Sequence, residues 1–132
     1  MRPGPMPAGL RSRCLLEIGI TQALVGRLDP ALRDFDDARR LAQGDEAVPQ
    51  EARAWSAVVL AALGRLVDAD RLLEALTSAG CGAAVAVARA LVAVDRLSPD
   101  APALVRSASE AAAEDECAPF ALLAATRWSI VT

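Results

Sequence analysis

The side chains able to do chemistry in this 132-residue chain are three cysteines, Cys14, Cys81 and Cys117, and seventeen Asp and Glu. All fourteen basic residues are Arg, and the chain holds no His, Lys or Tyr. Without Lys there is no GxxxxGK[ST] phosphate loop and no Schiff base. Without His there is no Ser-His-Asp triad, no Cys-His pair and no HExxH metal helix. The cysteines are far apart, odd in number and free of any CxxC spacing, so neither a zinc nor a redox motif is present. They read as reduced thiols of a cytoplasmic protein. The carboxylates mostly stand near Arg at helical spacing, as Asp36 does with Arg39 and Arg40. That pattern belongs to a solvated helix face with i,i+3 and i,i+4 pairs, whereas acid–base catalysis requires an enclosed carboxyl group. The sequence therefore predicts no catalytic residue, no cofactor and no metal.

Net charge is −3 with pI ≈ 4.9. A nucleic-acid binder needs a basic stripe, and a single-strand binder also needs aromatic platforms. Here only Arg2, Arg11 and Arg13 cluster, and aromatics are 3% of the chain. No run reaches the ~18 apolar residues of a membrane span, and residues 1–10 have no apolar core of the kind a secretory signal carries. The expectation is a cytoplasmic protein with neither nucleic acid nor membrane as partner.

Thirty alanines, eighteen leucines and the arginines are strong helix formers, and Val, Ile and Thr together number eighteen. An all-helical fold follows. Pro and Gly cut the chain into helices over 10–25, 30–43, 50–63, 67–78, 82–94, 100–114 and 118–131, after a disordered leader over 1–9. Residues 10–132 form one domain on this reading. Asp29-Pro30 reads as an N-cap followed by a first-turn proline. Val85, Val87, Val92 and Val94 could also suit a buried strand, but the length of their segment and its place between helices favour a helix.

A turn recurs along the chain. Ala23-Leu24-Val25-Gly26-Arg27-Leu28 returns as Ala61-Ala62-Leu63-Gly64-Arg65-Leu66, and more weakly as Val92-Ala93-Val94-Asp95-Arg96-Leu97. The spacings, Gly26 to Gly64 to Asp95, are 38 and 31 residues. Each copy ends one helix and leads into the next, which predicts three helix–turn–helix units plus a seventh helix. The units resemble the tetratricopeptide repeat family, whose signature is Trp-x2-Leu-Gly-x2-Tyr, then Ala-x3-Phe, Ala and Pro. In the first unit Leu15 takes the Trp place, Ile18-Gly19 the Leu-Gly pair, and Ala31-x3-Phe35 with Ala38 the second half. Gln22 replaces the Tyr and the closing Pro is absent. The second unit keeps Ala57, Leu60 and Ala69-x3-Leu73, but places Leu76 where Ala is usual and Trp55 out of register. The third keeps the turn and apolar helices, with Asp100 at the alanine position.

The resemblance implies a short right-handed solenoid that binds a peptide or helix of a partner protein on its concave face. The first helix of each unit would line that groove, which places Arg13, Leu16, Ile20, Ala23, Ala54, Val58, Ala61, Val85, Arg89 and Val92 there. Arg13, Leu16, Ile20, Val58, Val85 and Arg89 are the groove candidates, an apolar trough with an Arg near each end, suited to an amphipathic helix with an acidic flank. Alternatively, Leu16, Ile20 and Val58 pack inside the chain. The last helix is apolar apart from Arg127, and offers Leu122, Trp128 and Ile130 as a second contact surface. It either docks on the bundle or, as favoured from the sequence, mates with a second subunit or with another domain of a parent protein. A regulatory or ligand-sensing segment of a larger bacterial signalling or transcription-control protein is the alternative function; a small helical enzyme ranks last.

Overall fold

A computed structural model describes residues 7–42, 47–76, 82–113 and 115–131. Among these residues seven helices follow one another, α1 (Ala8–Leu24), α2 (Leu28–Leu41), α3 (Ala47–Ala62), α4 (Leu66–Ala75), α5 (Gly82–Asp95), α6 (Ala101–Ala111) and α7 (Ala118–Val131). No strand occurs among the described residues, and the valine-rich segment is helical throughout α5. Pro49, Pro102 and Pro119 each lie in the first turn of a helix, where a missing N–H costs nothing. Asp29 is a first-turn residue of α2, with Arg27 at the cap position, so it acts on the helix dipole and not as an N-cap.

Three turns share one hydrogen-bond pattern. In the first, the Gly26 N–H donates to the Ala23 carbonyl (3.1 Å) and the Arg27 N–H to that of Gln22 (2.8 Å). Gly64 and Arg65 repeat this on Ala61 and Leu60, and Leu97 and Ser98 repeat it on Val94 and Ala93. This is the Schellman closure of a helix, which needs a left-handed residue at its hinge. That residue is Gly26 (φ 86°), Gly64 (φ 81°) and Leu97 (φ 53°). The third turn thus aligns on Leu97, two residues beyond the Asp95 that the sequence letters select. The Asp95-Arg96-Leu97 likeness to Gly64-Arg65-Leu66 lies outside the true register.

Each helix packs on the next along the chain, and the odd-numbered helices also pack on one another, α1 on α3, α3 on α5 and α5 on α7. Short turns reverse the chain within each pair, so α3, α5 and α7 run the same way with their carboxyl ends side by side. Arg127 of α7 ties those ends together: it donates to the carbonyl of Ala62 at the end of α3 (2.8 Å) and pairs with Asp95 at the end of α5 (3.7 Å).

The core runs through α3 and α5, which are mostly Ala and Val. Small residues allow close approach. A Cβ at Gly19 would stand 2.7 Å from Cε1 of Phe35, so only glycine lets α1 and α2 meet at that height. Phe35 is fully buried and stacks on Trp55 (centroids 6.4 Å apart), which meets Phe120 edge-on at 6.1 Å. These rings link α2, α3 and α7. The last helix therefore docks on its own bundle, burying Phe120, Ala121 and Ala124, the first of the two placements that the sequence allows and not the one favoured from it.

Candidate functional site

A cavity of about 380 Å³ opens beside α1, α3, the start of α5 and the turn between α6 and α7. Ile20, Ala54 and Trp55 line its apolar part, and Glu17, Glu51, Asp115 and Glu116 its polar part. Four carboxylates thus come from three separate stretches of chain. Glu17 follows Arg13 by one helical turn on α1, but Arg13 turns instead to Glu51 on α3, 3.5 Å away, bridging the two helices. Asp115 accepts the Cys117 backbone N–H (3.1 Å) and faces its thiol (3.2 Å). That bond shapes the turn and fixes where Asp115 and Glu116 stand.

The electrostatics of the cavity are negative. The Glu116 carboxyl is raised above its ordinary value by partial desolvation first, then by the charges of Glu17, Asp115 and Glu51. Those carboxylates therefore feel one another across the opening. Arg13 offsets one of them. The first residues of α5, Gly82 to Ala84, line the same cavity and bring the positive end of a helix dipole toward it. Cys117, buried next to Asp115, has its thiol pushed up to about 12 by burial and by the Asp115 contact, so it is a protonated, inert side chain at neutral pH. Among the described residues no group of three or more His, Cys, Asp and Glu is disposed to hold a metal ion.

The sequence-predicted groove does not form as a single surface. Leu16, Ile20 and Val58 are core residues, as are Ala23, Ala54, Ala61 and Val92, because the odd helices pack directly together along that stripe. Ile20 meets the cavity only at its inner wall. Val85 is half-buried against the core. Arg89 is exposed but opens on a different cleft, of about 220 Å³, shared with Asp70 and Leu73 of α4 and Leu104 of α6. Arg13 and Arg89 therefore do not bound one trough, and the charge at the cavity is opposite in sign to the one expected. On α7, Leu122 and Ile130 are exposed, whereas Trp128 is half-buried and packed on the core. Cys81 lies outside the described residues.

Sequence reasoning missed all four carboxylates. Glu17 stands one helical turn from Arg13 and Glu51 two residues from Arg53, and both look like ordinary solvated charges. The acidic run over 114–116 was the one available signal. Comparison with protein-family models, with curated proteins and with solved structures found no match.

Proposed function

We propose that this chain is a protein-interaction module of tetratricopeptide-like, solenoid type that binds a peptide or helix of a partner through a basic side chain. The observation that carries the reading is the cavity of about 380 Å³, in which carboxylates surround an apolar wall containing Trp55. An Arg or Lys is itself amphipathic. Its aliphatic stem covers apolar surface while its charged head stays among polar groups, and this cavity offers both environments within one opening. An acidic flank on the partner would be repelled there. The order of helix contacts, each helix on the next and odd helices on odd, supports this reading, since stacked repeats that share a continuous core contact one another in that order.

The test is a fluorescence-anisotropy titration of the purified chain against labelled peptide pools that differ in Arg, Lys, Asp and Glu content. Basic pools are expected to bind, with affinity falling as salt rises, because the contacts are between partly exposed charges. Glu17→Gln with Glu116→Gln is expected to weaken that binding about tenfold or more. Equal binding of acidic and basic pools, or binding indifferent to both substitutions, defeats the reading.

A further inference from the structure

We propose, on the reading that the acidic cavity seats a basic side chain, that the same peptide carries a glutamate about three to five residues from that anchor, held by Arg89 in the cleft walled by α4, α5 and α6. Three arginines of the described residues line the smaller clefts. Arg96 is held by Asp70 (2.6 Å) and Arg127 by Asp95 (3.7 Å). Arg89 is exposed and has no ion pair or hydrogen bond among the described residues. It therefore offers an uncompensated charge to a ligand. The wall beside it is apolar: Leu73, Val92 and Ala93 are buried and Leu104 is half-buried. A glutamate suits both parts. Its carboxylate matches the guanidinium fork, and its two methylenes cover apolar wall as aspartate, one methylene shorter, does less well. The cleft holds about 220 Å³, room for a side chain, whereas a helix about 10–12 Å across is too broad for it. The bound segment is therefore extended.

Helix α5 sets the spacing. Gly82 lines the acidic cavity, Arg89 and Arg96 line the cleft, and all three are exposed. They stand seven residues apart in turn, two helical turns each, and so lie on one face of α5. At 1.5 Å per residue, the stretch from Gly82 to Arg89 and Ala93 puts the cleft about 10–16 Å from the cavity. An extended peptide covers that length in about three to five residues. The two ends are opposite in charge. Four carboxylates against Arg13 alone make the cavity negative, and Arg89 makes the cleft positive. A segment with one basic and one acidic residue at this spacing satisfies both, whereas a second basic residue there is repelled by Arg89.

Fluorescence anisotropy with labelled peptides in a neutral Ser- and Gly-based host tests this. One peptide carries a single Arg; the others add Glu at one to eight residues from it on either side, each with a Gln counterpart. The Arg peptide is expected to bind, and Glu to tighten binding about three- to fivefold over Gln at spacings of about three to five residues and not at one or eight. Aspartate should give a smaller gain. Arg89→Gln is expected to abolish the gain while leaving the peptide with Arg alone nearly unaffected. Glu17→Gln with Glu116→Gln should do the opposite, weakening both peptides by a similar factor. Arg89→Glu should reverse the preference, so that Lys in place of the peptide's Glu now binds better. The comparison of Glu with Gln peptides needs no substituted protein, and circular dichroism checks that the exposed Arg89 variants keep their helices. A gain that is absent, equal at every spacing or retained in Arg89→Gln would overturn the pairing with Arg89 and leave the cavity as the seat of a basic side chain. Failure of the peptide with Arg alone to bind would overturn both.

Discussion

Leu97 is the residue at which the third turn departs from the other two, and its replacement gives a sharp test of the turn geometry. At φ 53° its Cβ is crowded against the following carbonyl, a conformation that costs an L-residue about 1–2 kcal/mol. Glycine is free of that cost. The side chain is 61% exposed, so the burial lost on removing it is worth about 1 kcal/mol at most. The two effects oppose each other, so Leu97→Gly is expected to leave stability nearly unchanged. Leu97→Ala loses the same burial and keeps the strain, and should fall below Leu97→Gly by about 1 kcal/mol. At an ordinary helical position alanine is the more stable of the two by a similar amount, so the expected order is inverted here. Gly26→Ala and Gly64→Ala give the converse. A Cβ at either position meets nothing within 4 Å, so the expected loss of about 1 kcal/mol is conformational and owes nothing to a clash. Thermal and urea unfolding would show Leu97→Gly melting roughly 3–5 °C above Leu97→Ala. Equal stability, or alanine above glycine, would refute the assignment of Leu97 to the left-handed hinge.

Three further outcomes are expected. Gly19→Ala forces a methyl to within 2.7 Å of a fully buried ring that is itself stacked on Trp55, so urea unfolding should report a loss of about 1–3 kcal/mol; an unchanged midpoint would mean that α1 and α2 are farther apart than described. Cys117 should resist iodoacetamide in the native chain at pH 8, where a thiol raised to about 12 is protonated and buried, and react fully in urea. Peptide mass mapping reads this, and rapid native modification of Cys117 would contradict its burial. Glu116 has a folded-state value raised above its ordinary 4.5, so the folded chain holds this proton more firmly than the unfolded chain does. Its contribution to stability is therefore lost as pH rises through and above that value. Glu116→Gln should raise the Tm at pH 7 and have no effect below about pH 4; the same Tm at both pH values would remove the carboxylate crowding from the cavity.

The fold was legible in the sequence to the extent that it is local. Helix-forming composition and Pro and Gly punctuation are properties of short stretches, and the seven segments they mark out correspond to α1 through α7 with ends differing by a few residues. The third turn was misaligned because the letters Asp95-Arg96-Leu97 match Gly64-Arg65-Leu66, whereas the chain closes its helix by backbone geometry, and geometry places the left-handed hinge on Leu97. Arg127 shows the same limit from the other side. In the sequence it only interrupts an apolar run, yet it anchors α7 to the ends of α3 and α5 because a guanidinium can reach a free helix-end carbonyl and a carboxylate together.

The cavity could not be read because its character depends on which helix faces converge. Arg13 could pair with Glu17 on its own helix, as Arg39 and Arg40 do with Asp36. It pairs instead with Glu51, thirty-eight positions along the chain, once α1 and α3 lie side by side. That choice leaves Glu17 to face Glu116, and the turn that brings Glu116 there is set by Asp115 holding the Cys117 N–H. Every residue involved has an ordinary neighbour in sequence; only the packing decides that the carboxylates are left together and the arginine is consumed. The same packing buries Leu16 and Val58, which sequence spacing alone would assign equally well to an open trough. The sign of the cavity, and with it the charge of any side chain that can enter, is thus a tertiary property. A charge-reversing substitution at Glu51 would test that step directly. Glu51→Arg should drive Arg13 back toward Glu17, leave two cations beside the cavity and abolish the preference for basic peptides; retention of that preference would show that Glu17, Asp115 and Glu116 set the sign without Arg13 taking part.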